Sequence, residues 1–203
     1  GGRLSSIDLN GSRLTTHQFD AGREQQRQQG VLLSQYQYDE QGRLQAHTVG
    51  QQDRNLFQRR YAYDANGNLA GIDDSRKGNR SYHYDPLDRL ADCTPTAKAS
   101  SQRFYLKDRL STEVQGVLQH SIMQHEDQLL AQQQRQNGTL DNRLLATDRQ
   151  RSVLAILDAT PLQHLAYTPY GHRVQESGLL SLLGFNGERP DPVTGHYLLG
   201  NGY

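Results

Sequence analysis

The 203-residue sequence has no tryptophan, one methionine and one cysteine, and none of its apolar runs approaches the length that crosses a bilayer. The single thiol, Cys93, excludes an internal disulfide framework and a multi-cysteine metal site, and we expect it to be a small buried residue. The 22 basic and 22 acidic residues cancel, so there is no basic field to hold nucleic acid. These absences argue against a membrane-spanning or nucleic-acid-binding protein.

Apolar residues are also scarce, at 34% of the chain even with tyrosine counted. Tyrosine supplies 11 of the aromatic side chains and phenylalanine only 4. Tyrosine suits positions that are partly buried and partly wet, because its ring is apolar and its hydroxyl is polar. The composition therefore favours a single-layer sheet with a polar face over a thick two-layer core.

A unit of the pattern Tyr-x-Tyr-Asp-x-x-Gly-x-Leu recurs along the first half of the chain. Its aspartates fall at positions 20, 39, 64 and 85, which gives a period of about 19 to 25 residues. The copies run from His17 to Arg23 (shortened), Tyr36 to Leu44, Tyr61 to Leu69 and Tyr82 to Leu90, and Gly2-Arg3-Leu4 matches the second half of another. The residues that define the repeat are Tyr38, Asp39, Gly42, Tyr63, Asp64, Gly67, Tyr84 and Asp85.

Each part of the unit has a physical reason. Residues i and i+2 of a strand point to one face, so the two aromatics share a side, and we expect the tyrosines of neighbouring hairpins to contact one another across the strands. The aspartate opens a turn in which its carboxylate accepts backbone N–H groups, and the glycine adopts positive φ and starts the returning strand with a bulge. In the last copy Asp88 replaces this glycine, and aspartate tolerates the left-handed region better than most residues. Each unit is therefore predicted to be a β-hairpin.

Three later segments carry weaker signals. Residues 24–29 are helical by propensity, but strand or polar loop fits their position between hairpins. Asn137-Gly138 is a two-residue turn signal that predicts strands from Leu129 to Arg135 and from Thr139 to Leu145, with a glutamine-rich helix as the alternative. A further strand–turn–strand pattern spans residues 151–157 and 163–167, and residues 176–183 are a short helix or a loop.

The repeats resemble those of the YD-repeat, or rearrangement-hotspot (Rhs), family. Residues 167–173, YTPYGHR, resemble its Y-x-P-Y-G-x-R step, and residues 183–189 and 191–203 resemble the start of its conserved-core signature. In residues 145–153 Arg151 stands where the family usually has glycine, which puts that turn in doubt. The signature positions are Tyr170, Gly171, Gly184, Phe185, Asn186, Gly187, Asp191, Pro192, Gly195, Gly200, Asn201 and Gly202.

The resemblance implies an all-β fold in which repeated hairpins form a curved or spiralling single-layer sheet, part of a hollow shell. It implies three parts: YD-repeat hairpins in residues 1–100, degenerate hairpins in 101–166, and the start of the core signature in 167–203. It also implies a function, in which the shell encapsulates a polymorphic C-terminal toxin and helps to deliver it in competition between bacteria. The implied partners are the rest of the parent shell, the enclosed toxin and secretion-apparatus proteins.

We expect a bacterial protein that is exported or delivered to other cells. The first ten residues, GGRLSSIDLN, have no signal-peptide pattern, so we expect synthesis in the cytoplasm without a classical signal peptide. The chain begins inside one repeat and ends inside the signature, before the D-P-x-G segment at which the family cleaves itself. We therefore expect residues near Arg3 and Gly200 to pair or pack with material outside this chain.

No catalytic, cofactor or metal residues are predicted. The turn from Asp191 to Gly195 has one residue too many for a D-P-x-G cleavage motif, the eight histidines lack metal-ligand spacing, and no carboxylate pair can be placed from sequence. Two alternatives remain open: a self-processing aspartic protease whose catalytic segment lies beyond Tyr203, and a repeat module that binds carbohydrate or a receptor.

Overall fold

The computed structural model describes residues 2–96, 98–157, 162–174, 181–191 and 194–197. In these residues the chain is all-β, with antiparallel strands and a single 3-10 turn at Phe185–Gly187. The chain divides into two compact units, Gly1–Ser81 and Tyr82–Tyr203. The division predicted from sequence, with boundaries after residues 100 and 166, stays a prediction.

In the first unit, each strand pairs antiparallel with the next strand along the chain. The hairpins therefore lie side by side in one layer, as the repeat predicts. The strands are β1 (Ser6–Leu9), β2 (Ser12–Asp20), β3 (Arg23–Gln29), β4 (Leu32–Tyr38), β5 (Leu44–Gln51), β6 (Arg54–Tyr63), β7 (Leu69–Asp74) and β8 (Gly78–Tyr84), of which residues 78–81 belong to this unit.

The second unit repeats the same order, each strand pairing antiparallel with its neighbours in sequence. Its strands are β9 (Leu90–Pro95), β10 (Ser101–Leu106), β11 (Arg109–Gln115), β12 (Leu118–His125), β13 (Gln128–Gln136), β14 (Thr139–Thr147), β15 (Val153–Leu157) and β16 (Gln163–His164).

Few side chains of the first unit are buried, as expected for a single layer with a low apolar content. Among its described residues only Thr15, Ala46, Arg59, Ile72 and Asp74 fall in the buried class. Two of these form an ion pair, in which Arg59 Nε donates to Asp74 Oδ2 at 2.9 Å. Large apolar side chains such as those of Leu4, Leu9 and Phe19 remain exposed.

The second unit has a hydrophobic core between its last strands and the chain that follows them. Its fully buried members include Val153 and Ile156 of β15, and Leu182 and Leu183 pack against them after the last strand. Ile122, Leu129, Leu145 and Leu165 complete the cluster. Cys93 is also buried, as expected for a lone thiol.

The structure decides most of the open sequence alternatives. Residues 24–29 are strand, within β3, and Asn137 and Gly138 both have positive φ between β13 and β14, which excludes the glutamine-rich helix. Strand β15 begins at Val153 rather than residue 151, because Arg151 and Ser152 belong to the preceding turn. Residues 158–161 and 175–180 lie outside the described residues, so the prediction for 176–183 is untested there.

Candidate functional site: the repeated turns and the docked signature segment

The turn that follows each Tyr-x-Tyr pair has one hydrogen-bond pattern. In the turn from Asp39 to Arg43, the Asp39 N–H donates to the Arg43 carbonyl at 2.9 Å, and the Gly42 N–H donates to the Asp39 carbonyl at 2.9 Å. The Asp39 carboxylate accepts the Arg43 N–H at 2.7 Å. The turns opened by Asp64 and Asp85 repeat all three bonds. The predicted capping role of aspartate is therefore confirmed.

The predicted left-handed position is also confirmed. Gly42 and Gly67 have φ of 82° and 92°, and Asp88 occupies the same position with φ of 58°. The register shifts between Gln37 and Tyr38, and between Ala62 and Tyr63, place further bulges at Gln45 and Ala70 of the returning strands, three residues after each glycine.

Four further copies of this turn lie in the second half of the chain, where the sequence analysis named turns at Arg151 and from Asp191 to Gly195 but did not relate them to the repeat. They open at Asp148, Thr168, Gly184 and Asp191, and their left-handed positions are Arg151, Gly171, Gly187 and Gly195. Thr168 replaces the aspartate with a hydroxyl that accepts the His172 N–H at 3.1 Å, and the Asp191 turn is one residue longer. The doubt about the turn at Arg151 is resolved, since it forms with Arg151 at φ of 72°.

Four tyrosine hydroxyls bind the backbone that follows an earlier turn. The Tyr63 hydroxyl donates to the Leu44 carbonyl at 2.7 Å, and the Tyr105 hydroxyl donates to the Leu90 carbonyl at 2.8 Å. In each pair, the acceptor is the first residue after the turn. The same bond joins Tyr38 to Glu24 and Tyr167 to Val153. Burial raises the pKa of Tyr167 to about 12, so its hydroxyl stays a donor at neutral pH.

The arginine that ends a turn covers the same tyrosine ring. The Arg43 guanidinium carbon lies 4.5 Å from the centre of the Tyr63 ring, and that of Arg89 lies 4.9 Å from the Tyr105 ring. Arg43 Nε also donates to Asp39 Oδ2 at 2.7 Å, so one arginine joins the aspartate of its own turn to the tyrosine of the next repeat. Burial opposes ionisation of Asp39, but the Arg43 N–H and guanidinium lower its pKa overall. We name this set of contacts the Tyr–Arg ladder.

The Tyr-x-Tyr pairs share one face, but their stacking partners differ from those expected. In each pair the intervening residue, Gln37, Ala62 or His83, is exposed, while both tyrosines are more buried. Tyr36 stacks on His47 at 4.7 Å, and His47 meets Phe57 edge-on at 5.6 Å. The tyrosine rings therefore contact histidine and arginine side chains of neighbouring strands, where the sequence analysis expected contacts with other tyrosines.

The described residues 181–191 and 194–197, which we name the signature segment, pack against the second unit's strands through buried polar groups. The side chain of Gln132 in β13, 1% exposed, accepts the Leu182 N–H at 2.9 Å. The Ser152 hydroxyl accepts the Asn186 N–H at 3.1 Å. These acceptors hold the segment over the hydrophobic core.

Two charged groups anchor the other end of the segment. Glu113, 3% exposed, accepts from Arg103 Nε at 3.0 Å and from Arg189 Nη2 at 3.0 Å. Burial alone would raise the pKa of Glu113, but the two arginines lower it overall. The Tyr82 hydroxyl donates to Asp191 Oδ2 at 2.7 Å, and both side chains are buried.

Most described signature residues fall in this packing. The Phe185 ring lies 5.8 Å from the Tyr167 ring, and Gly171 makes room for it, because a Cβ there would lie 2.7 Å from Phe185 Cδ1. Tyr170 is different, since it is 96% exposed at the tip of its turn. Pro192, Gly200, Asn201 and Gly202 lie outside the described residues.

Sequence reasoning missed Glu113, Gln132 and the ladder arginines. Arg43 and Arg89 follow the turn glycine or its substitute, so a repeat-by-repeat comparison could have found them. Nothing local marks Glu113 or Gln132, because their partners lie 76 and 50 residues further on.

Neither a metal cluster nor a membrane-spanning helix is found in the described part of the chain. No group of three or more His, Cys, Asp or Glu side chains is placed there to bind a metal ion. No helix there has the length and apolar character needed to cross a membrane.

The model of the teneurin YD-shell family matches residues 52–203. This match covers well over half of the chain, so the chain belongs to the teneurin YD-shell family, and the resemblance to YD-repeat proteins is confirmed. Membership assigns it a structural role in a YD-repeat shell.

Similar solved structures are Tc toxin assemblies. The chain is 12% identical to a chain of the Photorhabdus luminescens Tc holotoxin pore, with a TM-score of 0.48. The match covers 98% of the present chain and 18% of the toxin chain. It is also 12% identical to TcdB2–TccC3 without its hypervariable C-terminal region, with a TM-score of 0.48, over 96% of this chain and 18% of that one. The chain thus spans less than a fifth of those proteins. No curated protein is similar enough to count as a match.

Proposed function

We propose that this chain is a wall segment of a hollow YD-repeat shell that encapsulates a C-terminal toxin and helps to deliver it. Its role is structural, without catalysis in these residues. Its partners are the remaining segments of the parent shell, the enclosed toxin and proteins of a secretion apparatus. The parent protein is bacterial, and it is exported or delivered to other cells.

The observation that carries this proposal is the family match to a YD-shell over residues 52–203. The Tyr–Arg ladder supports it, because a tyrosine of one hairpin satisfies a backbone carbonyl of an earlier hairpin, so a wall can be extended by adding hairpins. The buried anchors Gln132 and Glu113 also support it, because they hold the signature segment against the strands of the second unit.

Limited proteolysis of the full-length parent protein tests the proposal. A site for a sequence-specific protease is inserted in the region that follows the signature. We expect cleavage of the intact protein to be at least about tenfold slower than cleavage of the same region expressed alone. An Arg43→Ala variant, which removes the contacts of Arg43 with Asp39 and the Tyr63 ring, should speed cleavage. Arg54→Ala, at an exposed strand position, should not. Equal rates in the intact protein and the isolated region would contradict encapsulation.

A glycan array separates the binding-module alternative. The proposal predicts that the purified chain shows no glycan binding that depends on sugar identity. Specific, saturable binding to one glycan class would instead favour a carbohydrate-binding repeat.

A further inference from the structure

Asparagine directly precedes glycine at several places in the chain. Asparagine is a chemically labile residue, and glycine after it favours reaction, because glycine has no side chain to shield its backbone nitrogen. In this reaction the glycine nitrogen attacks the side-chain amide carbon of the asparagine. The described pairs are Asn10-Gly11, Asn66-Gly67, Asn137-Gly138 and Asn186-Gly187, and the pair Asn201-Gly202 lies outside the described residues.

Two of these pairs form the tips of two-residue hairpin turns, Asn10-Gly11 between β1 and β2 and Asn137-Gly138 between β13 and β14. All four residues have positive φ and are exposed. In the described part of the chain, neither glycine N–H donates a hydrogen bond. A Cβ on Gly11 or Gly138 would meet no atom within 4 Å. Each asparagine side chain therefore has room to approach the next backbone nitrogen.

The other two pairs lie in the repeated turns, with the glycine at the left-handed position. The Gly67 N–H donates to the Asp64 carbonyl at 3.1 Å. The Gly187 N–H donates to the Gly184 carbonyl, also at 3.1 Å. Gly187 is buried as well, and a Cβ there would lie 3.1 Å from Leu129 Cδ1. In both turns a hydrogen bond must break before the glycine nitrogen can attack.

We propose that the hairpin turns at Asn10 and Asn137 are sites of spontaneous deamidation, whereas the repeated turns protect Asn66 and Asn186. The glycine nitrogen forms a bond to the asparagine Cγ, and the Cγ–Nδ2 bond breaks. The amide nitrogen leaves as ammonia and takes the proton of the glycine N–H. Water then opens the cyclic imide at either carbonyl, which gives aspartate or isoaspartate without any change of oxidation state.

The two products differ in what they do to the turn. Both place a new carboxylate at its tip. Aspartate keeps the turn, because Asp-Gly also forms two-residue hairpin turns. Isoaspartate runs the backbone through its side-chain carbonyl and so adds a methylene to a turn whose length sets the strand register. An exposed isoaspartate is also the substrate class of carboxyl methyltransferases that use S-adenosylmethionine. None of this chemistry depends on whether the shell encloses a toxin.

Timed incubation of the purified chain at mildly alkaline pH tests the inference. Digestion at acidic pH and mass spectrometry follow each Asn-Gly peptide, and an isoaspartyl methyltransferase with a labelled methyl donor measures isoaspartate. We expect Asn10 and Asn137 to react at least about tenfold faster than Asn66 and Asn186, because the latter must first break a hydrogen bond and open the turn.

The same incubation in guanidinium chloride is the matched control, because it removes the folded turns. All four asparagines should then react at rates within about threefold of one another, since local structure no longer separates them. In the folded chain, Asn137→Gly keeps a two-residue turn, because Gly-Gly also forms one. This variant should abolish the reaction in its own peptide and leave the rate at Asn10 unchanged.

Four results would each overturn the assignment. These are equal rates at the four asparagines of the folded chain, faster reaction at Asn66 or Asn186, and no reaction at the hairpin turns. The fourth is an unchanged order of rates in guanidinium chloride, because the selectivity would then come from the neighbouring sequence and not from the fold.

Discussion

At the scale of single residues, one backbone position in each turn decides which side chains the repeat tolerates. The position has positive φ in every described copy, whether glycine, Asp88 or Arg151 occupies it. Glycine reaches this region without a Cβ clash, and aspartate does so at a modest cost. The turns could be predicted from sequence here, because the need for positive φ restricts the residue at a single position.

Gly67→Val should destabilise the first unit by about 1–2 kcal/mol, because a β-branched residue is strained at φ of 92°. Ala65→Val, an exposed change in the same turn, should cost less than about 0.5 kcal/mol. Asp88→Gly should be neutral or slightly stabilising. Urea unfolding measures all three, and a marked loss of stability in Asp88→Gly would count against this view of the turn.

Arg151→Gly should stabilise the chain by about 1–2 kcal/mol, since it removes left-handed strain and two unsatisfied buried donors. Arg149→Gly should be neutral or slightly destabilising. Thermal unfolding of both variants gives the comparison. A lower melting temperature for Arg151→Gly would mean that the arginine contributes to the native packing.

At the scale of elements, the Tyr–Arg ladder explains why the unit is longer than a turn requires. The arginine after the left-handed position neutralises the aspartate before it and also covers a tyrosine of the next repeat. Gly42 leaves space for the arginine of the preceding turn, because a Cβ there would collide with the Arg23 guanidinium. The contacts run between consecutive hairpins, so they fix the hairpins in register.

A double-mutant cycle measures this coupling. Arg43→Gln and Tyr63→Leu should show a coupling energy of about 0.5–1 kcal/mol in urea unfolding, as expected for an exposed cation–π contact. Arg54→Gln paired with Tyr63→Leu should show none. Additive effects of Arg43→Gln and Tyr63→Leu would remove the ladder as a source of stability.

A related comparison isolates the hydroxyl. Tyr63→Phe removes the bond to the Leu44 carbonyl and should cost about 1 kcal/mol. Tyr170→Phe should have no effect, because Tyr170 is 96% exposed. Equal stability of Tyr63→Phe and wild type in urea would show that this bond contributes nothing measurable.

The sequence predicted the hairpins more completely than the contacts between them. Turn residues act within five positions of one another, so Asp39, Gly42 and their equivalents were recognised. The turns at Thr168 and Gly184 were missed because the aspartate is replaced. The anchors Glu113 and Gln132 were not predictable, since their partners lie 76 and 50 residues further along the chain and only folding brings them together.

At the scale of the whole molecule, buried anchors determine where the signature segment lies in the second unit. Glu113 binds Arg103 and Arg189, so it joins two strands to a segment 76 residues further on. Removing one partner of such a buried group leaves charges without compensation. The anchor therefore couples the strands to the signature segment.

Glu113→Gln should destabilise the second unit by about 3 kcal/mol, whereas exposed Glu126→Gln should have little effect. Because the pKa of Glu113 in the folded protein lies below the ordinary glutamate value of 4.5, its contribution to stability is complete above about pH 4.5 and is lost as pH falls through the folded pKa. Stability below pH 4.5 should therefore decline less steeply in the variant. Identical pH profiles of the two proteins would contradict the assigned charge state.

The most direct test of the shell is the structure of the full-length parent protein by electron cryomicroscopy. We expect the hairpins described above to form part of the wall of a closed, hollow shell, with density for additional polypeptide inside it. An open sheet whose two faces both meet solvent, with no enclosed volume, would contradict the account.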